Sequence, residues 1–129
     1  MEIASDMNKL CLVSDASHRH YKLPEKVVEE FNSRPPEKRM ATLGWPEIGQ
    51  NAAELQCGAI EELRDTCGHI ETRVEVDPSL PGGKELKALI RDCKILVCGL
   101  GGYGHCEGEI AVMDSIEYVA ISEPQDVPR

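Results

Sequence analysis

Cys98 ends an apolar run, Ile95–Cys98, and leads directly into Gly99-Leu100-Gly101-Gly102-Tyr103-Gly104, four glycines in six positions. A thiol at the mouth of a strand, beside main-chain amides whose dipoles favour its ionised form, has the chemistry of a base or a nucleophile. Glycines let backbone N–H groups turn toward a ligand without steric cost, and with a helix behind them they form a cradle for an anion. The alternative reading is a tight turn that needs glycines for packing. A second cluster is Ser14-Asp15-Ala16-Ser17-His18-Arg19-His20. Asp15, His18 and His20 are acid–base types, Arg19 is suited to a phosphate, and Ser14 and Ser17 add hydroxyls. Glu109 lies five residues beyond Gly104, where a carboxylate near a helix N-terminus could act as a nucleophile. His18, His20, His105 and Cys106 are metal-ligand types without a characteristic spacing, so no metal site is assigned. The glycine segment lacks both the G-x-G-x-x-G register and a following G-K-[ST], so no cofactor is expected.

The elements that would position these groups alternate between strand-like and helix-like periodicity. Leu10–Val13 reads as a strand buried on both faces, and Pro24 opens a helix with Val27, Val28 and Phe31 on one side. Arg39–Leu43 reads as a second strand. Ala52, Leu55, Ala59, Ile60 and Leu63 recur at helical spacing, with Gly68 as the C-cap. Ile70–Val76 alternates as a third strand, and Leu86, Leu89 and Ile90 line a helix ending near Cys93. Ile95–Cys98 is a central strand, a helix is expected from about His105 to Asp114, and Tyr118–Ile121 closes a fifth strand. The expected fold is therefore α/β: a three-layer α/β/α domain, flavodoxin-like or Rossmann-like, with five mainly parallel strands spanning residues 1–129 and loose ends at about 1–8 and 122–129. Ligands of such sheets bind at the carboxyl ends of the strands, which places Ser14 to His20 and Gly99 to His105 at one edge.

Composition narrows the function classes. The 129 residues carry 23 acidic against 14 basic side chains, a net charge of −9 that opposes nucleic-acid binding. The longest apolar runs are far short of the roughly 20 residues of a membrane helix. The opening MEIASDMNK has no secretory signal pattern. Six cysteines without a C-x-x-C pair read as reduced thiols of a cytoplasmic protein. A homo-oligomer is expected from the exposed edge of a small sheet.

Leu12-Val13-Ser14-Asp15 followed by Cys98-Gly99-Leu100-Gly101 resembles the ribose-5-phosphate isomerase B and galactose-6-phosphate isomerase family. That resemblance implies that Cys98 abstracts a proton, Asp15 binds the sugar and the glycine loop stabilises an enediolate. The segment from Asp92 through Ile121, with Glu109-Ile110-Ala111, resembles nucleoside 2-deoxyribosyltransferase-like proteins and implies Glu109 as nucleophile. Either resemblance implies that the chain binds a small phosphorylated sugar or nucleotide-like anion, with conversion of that ligand as the implied activity. Two further readings stay open, a non-catalytic ligand-sequestering module and a metal- or cofactor-carrying accessory protein.

Overall fold

The computed structural model describes residues 8–14, 21–66 and 69–128. Its elements are β1 (Lys9–Val13), β2 (Tyr21–Lys22), α1 (Glu25–Asn32), β3 (Met40–Leu43), β4 (Gln56–Thr66), β5 (His69–Val76), α2 (Pro81–Arg91), β6 (Val97–Glu107) and β7 (Ile110–Ser122), with short 3-10 turns at Pro36–Lys38, Ala52–Leu55 and Pro124–Asp126. The strands form one mixed sheet of seven, ordered β1-β5-β4-β3-β7-β2, with β6 on the other edge of β7. The β1/β5, β5/β4, β4/β3 and β6/β7 pairs are antiparallel, while β3 and β2 run parallel to β7. A parallel bridge between Ser14 and Cys98 brings the end of β1 to β6, so the sheet curls until its two ends meet. The result is a barrel-like sheet flanked by two helices, not the expected three-layer fold with a mainly parallel sheet.

Two local features explain how the periodicity misled. β5 alternates exposed and buried residues throughout, so it reads as a strand. β4 does not, because its register against β5 shifts between Ile60 and Glu62, leaving Glu61 as an extra residue. The inward positions Ile60 and Leu63, both essentially fully buried, are therefore three apart, which imitates a helix turn. The expected helix over Ala52–Leu63 is in fact a 3-10 turn followed by a long strand. Its expected cap, Gly68, lies outside the described residues. Likewise the expected helix from His105 to Asp114 is the tip of the β6–β7 hairpin.

The bulge in β4 is held from outside by polar groups. Ile60 donates its N–H to the Arg39 carbonyl at 2.7 Å and accepts from Arg39 Nε at 2.7 Å. The Asn32 amide receives the Leu63 N–H at 3.0 Å and donates to the Leu63 carbonyl at 2.8 Å. Arg34, at the end of α1, donates to the Ile116 carbonyl of β7 at 2.7 Å and pairs with Glu30 one helical turn earlier. Phe31 is fully buried, and the Arg34 guanidinium sits 5.2 Å from its ring centroid. The apolar core gathers Phe31, Ile60, Leu63, Ile70, Val74, Leu86, Ile116, Val119 and Ile121 from both helices and most of the strands. Arg34→Met keeps the apolar stem and removes the donors to the Ile116 carbonyl, so it is expected to cost about 1–2 kcal/mol. Arg34→Lys should recover little, because the guanidinium serves Ile116 and Glu30 from one planar fork. Urea unfolding of the two variants checks both expectations.

Candidate functional site

The sheet brings Ser14 and Cys98 together as expected, but for a structural purpose. Ser14 donates its N–H to the Ile70 carbonyl at 2.8 Å, and its hydroxyl accepts the Ile70 N–H at 2.8 Å. Cys98 directs its thiol at the same Ile70 carbonyl, 3.7 Å away. The thiol is buried at 4% exposure, and desolvation pushes it up to about 12, the reverse of activation. Asp15, Ser17, His18, Arg19 and His20 lie outside the described residues.

The glycine segment is strand, and no helix follows it. Extended backbone points successive amides to opposite edges, so residues 99–104 do not converge into an anion cradle. A Cβ at Gly99 would stand 2.5 Å from Trp45 Cζ2, and one at Gly101 would enter the Tyr118 ring. At Gly102 and Gly104 a Cβ would strike the carbonyl oxygens of Ser115 and Val112. These glycines let an aromatic cover and the β7 backbone close onto β6. Trp45 and Tyr118 meet edge-to-face with centroids 6.2 Å apart.

The close approach coincides with two register shifts in the β6/β7 pair, at Gly101/Gly102 and at Tyr103/Gly104. They leave Glu117 and Asp114 as extra residues on β7, and each is exposed. The second bulge sets Asp114 against His105. His105 Nδ1 lies 2.9 and 2.8 Å from the two Asp114 oxygens, and Nε2 lies 3.0 Å from Glu107 Oε2. Ionised carboxylates only accept, so both contacts are satisfied together when both ring nitrogens carry protons. The carboxylates of Glu107 and Asp114 accordingly raise the His105 pKa. Among the described residues, the hydrogen-bond partners of the His105 ring are the two carboxylates of Asp114 and Glu107. No group of three metal-ligating side chains is assembled among the described residues.

Glu109 sits in the hairpin turn rather than on a helix. Glu107 pairs with Ile110, and Gly108, in the two-residue turn between them, adopts φ 67°, a positive value that favours glycine. Cys98 and Glu107 are nine residues apart on one strand, roughly 30 Å along it. The thiol and the turn carboxylate therefore do not share a site.

What the sequence analysis overlooked is the hairpin itself. Residues 102–110 are all exposed, including Tyr103 at 67% and Ile110 at 59%. A shallow, mainly apolar hollow beside them is lined by Tyr21 of β2, Gly104, Cys106, Val112 and Met113. Among the described residues, the edge of β6 facing away from β7 is bridged only at Cys98, by Ser14. The signal lay in the sequence: no Lys or Arg occurs between Lys94 and Arg129, and Glu107 and Glu109 flank Gly108 between Cys106 and the apolar run Ile110-Ala111-Val112.

No protein-family model matches the chain, and no curated protein matches it. A solved structure does. The bacteriophage T4 capsid assembly protease, gp21, superimposes with a TM-score of 0.65 at 17% sequence identity, over 89% of this chain and 81% of that one. The two chains share a fold. That likeness, together with the barrel-like sheet, replaces the resemblances to sugar-phosphate isomerases and deoxyribosyltransferases. Among the described residues no helix is long and apolar enough to cross a membrane.

Two measurements check this account of the site. Gly102→Ala forces backbone against backbone and is expected to cost about 2–3 kcal/mol in urea unfolding. Gly108→Ala meets nothing and carries only the strain of its positive φ, about 1 kcal/mol. In native protein, iodoacetamide should modify the exposed Cys11, Cys93 and Cys106, whereas Cys57 and Cys98 should react only after unfolding; peptide mass mapping reads the difference.

The His105 clip has its own sign. With the folded pKa raised, its contribution is complete below the ordinary histidine value of about 6.5 and is lost as pH rises through the folded pKa. An NMR titration should place the His105 midpoint above that ordinary value, and Asp114→Asn should lower it.

Proposed function

We propose that this protein works in the assembly of a protein shell, as a polypeptide-binding member of the capsid-protease fold. The observation that carries the reading is the extent of the fold likeness, 89% of this chain superimposed on a capsid assembly protease at a TM-score of 0.65. The edge of β6 that has no strand partner among the described residues beyond Cys98, and the exposed hairpin tip, supply a surface suited to an extended chain, because a strand edge offers its N–H and C=O groups in the spacing a second strand requires. The role proposed is binding. The Cys98 thiol, buried and held near 12, is a packing group in this arrangement. The five described cysteines are unpaired, which accords with a reducing, cytoplasmic setting.

The test is sedimentation. The tagged protein, produced in its native host during particle assembly, is expected to migrate with capsid-sized precursors on a sucrose gradient. Protein that stays at the top throughout assembly overturns the proposal. Parallel incubation with an unfolded substrate such as casein is expected to yield no fragments. Cleavage lost on substituting one residue of this chain would replace binding with proteolysis.

A further inference from the structure

The hairpin carries a charge pattern that narrows what it can hold. From residue 95 through 128 the chain has six carboxylates, Glu107, Glu109, Asp114, Glu117, Glu123 and Asp126, and no Lys or Arg. Glu107, Glu109, Asp114 and Glu117 are exposed along β6 and β7 or in the turn between them. His105, the only other residue of that stretch able to carry positive charge, is held between Glu107 and Asp114. The same stretch has an unpaired strand edge among the described residues, with Tyr103 and Ile110 exposed beside it.

We infer that the outer edge of β6 from Tyr103 to Glu107 receives an extended, basic polypeptide segment as an added strand. This rests on the proposed polypeptide-binding role and names its partner chemistry. Strand addition supplies affinity through main-chain hydrogen bonds, and alternate side chains of the added strand fall on opposite faces of the hairpin. Lysine or arginine side chains would meet Glu107 and Glu109 at the turn. Their long stems would cover Tyr103 and Ile110 while the charged ends stay in water. A second copy of the hairpin is a poor occupant, since like charges would face each other across the new pair. Nucleic acid is excluded by the same field.

The experiment uses the full chain and a dye-labelled eight-residue peptide alternating Lys or Arg with Val or Thr, read by fluorescence anisotropy at low salt. Three comparisons define the mode. A peptide with Glu in place of the basic residues should not bind. Proline at alternate positions, which removes the ladder N–H groups and keeps the charge, should weaken binding at least tenfold. The double variant Glu107→Lys and Glu109→Lys should weaken it at least tenfold, while Glu25→Lys and Glu29→Lys on α1, the same change in net charge, should alter it less than threefold. Equal effects from the two double variants, or full binding of the proline peptide, would show diffuse attraction and overturn the inference. So would absence of binding, or a concentration-dependent dimer in sedimentation that buries the β6 edge. Migration of the unsubstituted protein with capsid precursors is read separately, so loss of peptide binding alone leaves the assembly role standing.

Discussion

β7 has both edges occupied, and the molecule is organised by that constraint. β6 runs along the whole of one edge, while β3 and β2 share the other. A strand paired on both sides must satisfy two ladders while its side chains serve two faces. β7 meets this with buried Val119, Ala120 and Ile121 in the half beside β3 and exposed Asp114 and Glu117 in the half that forms the hairpin. The glycines of β6 are the counterpart of this arrangement. Where β7 bulges, its carbonyls come too close for any side chain on the facing strand, so Gly102 and Gly104 follow from the pairing and not from a ligand.

Seen this way, the two ends of β6 have different physical characters. At Cys98 it is dry, bridged to β1 and sealed under the Ile70 carbonyl. Nine residues later it is fully exposed, acidic and, among the described residues, unpaired on one edge. Reactive residue types gathered at the first end are engaged in closing the barrel, where a serine hydroxyl and a thiol terminate backbone groups at the seam. The second end carries exposed carboxylates and exposed Tyr103 and Ile110, which give it a concentrated negative field.

Much of the local structure was legible from residue order. The helix opened by Pro24, the strand before Gly44, the alternating strand ending at Val76 and the helix carrying Leu86 all stand where their periodicity places them, and Leu10–Val13 is a strand as well, though with Cys11 and Val13 exposed it is not buried on both faces. The errors arose where a strand departs from period two. Glu61 in β4 and Asp114 and Glu117 in β7 are inserted residues, and each insertion turns a spacing of two into three, the interval of a helix. Once most of β4 and the hairpin tip from His105 to Asp114 are read as helices, alternating elements imply a parallel sheet, and the glycine segment becomes a strand-to-helix loop by consequence. The site reading inherited that error. Ser14 and Cys98 do lie side by side, but pairing alone could not show that their polar atoms close a seam.

The absence of lysine and arginine between Lys94 and Arg129 also has a practical side. Trypsin, which cuts only after those residues, finds no cleavage point anywhere in β6, the turn or β7. A cut after Lys94, which is exposed just ahead of β6, would leave the hairpin and everything C-terminal to it as a single covalent fragment. The two strands that organise the sheet, and the surface assigned to its partner, therefore survive tryptic digestion as one intact piece.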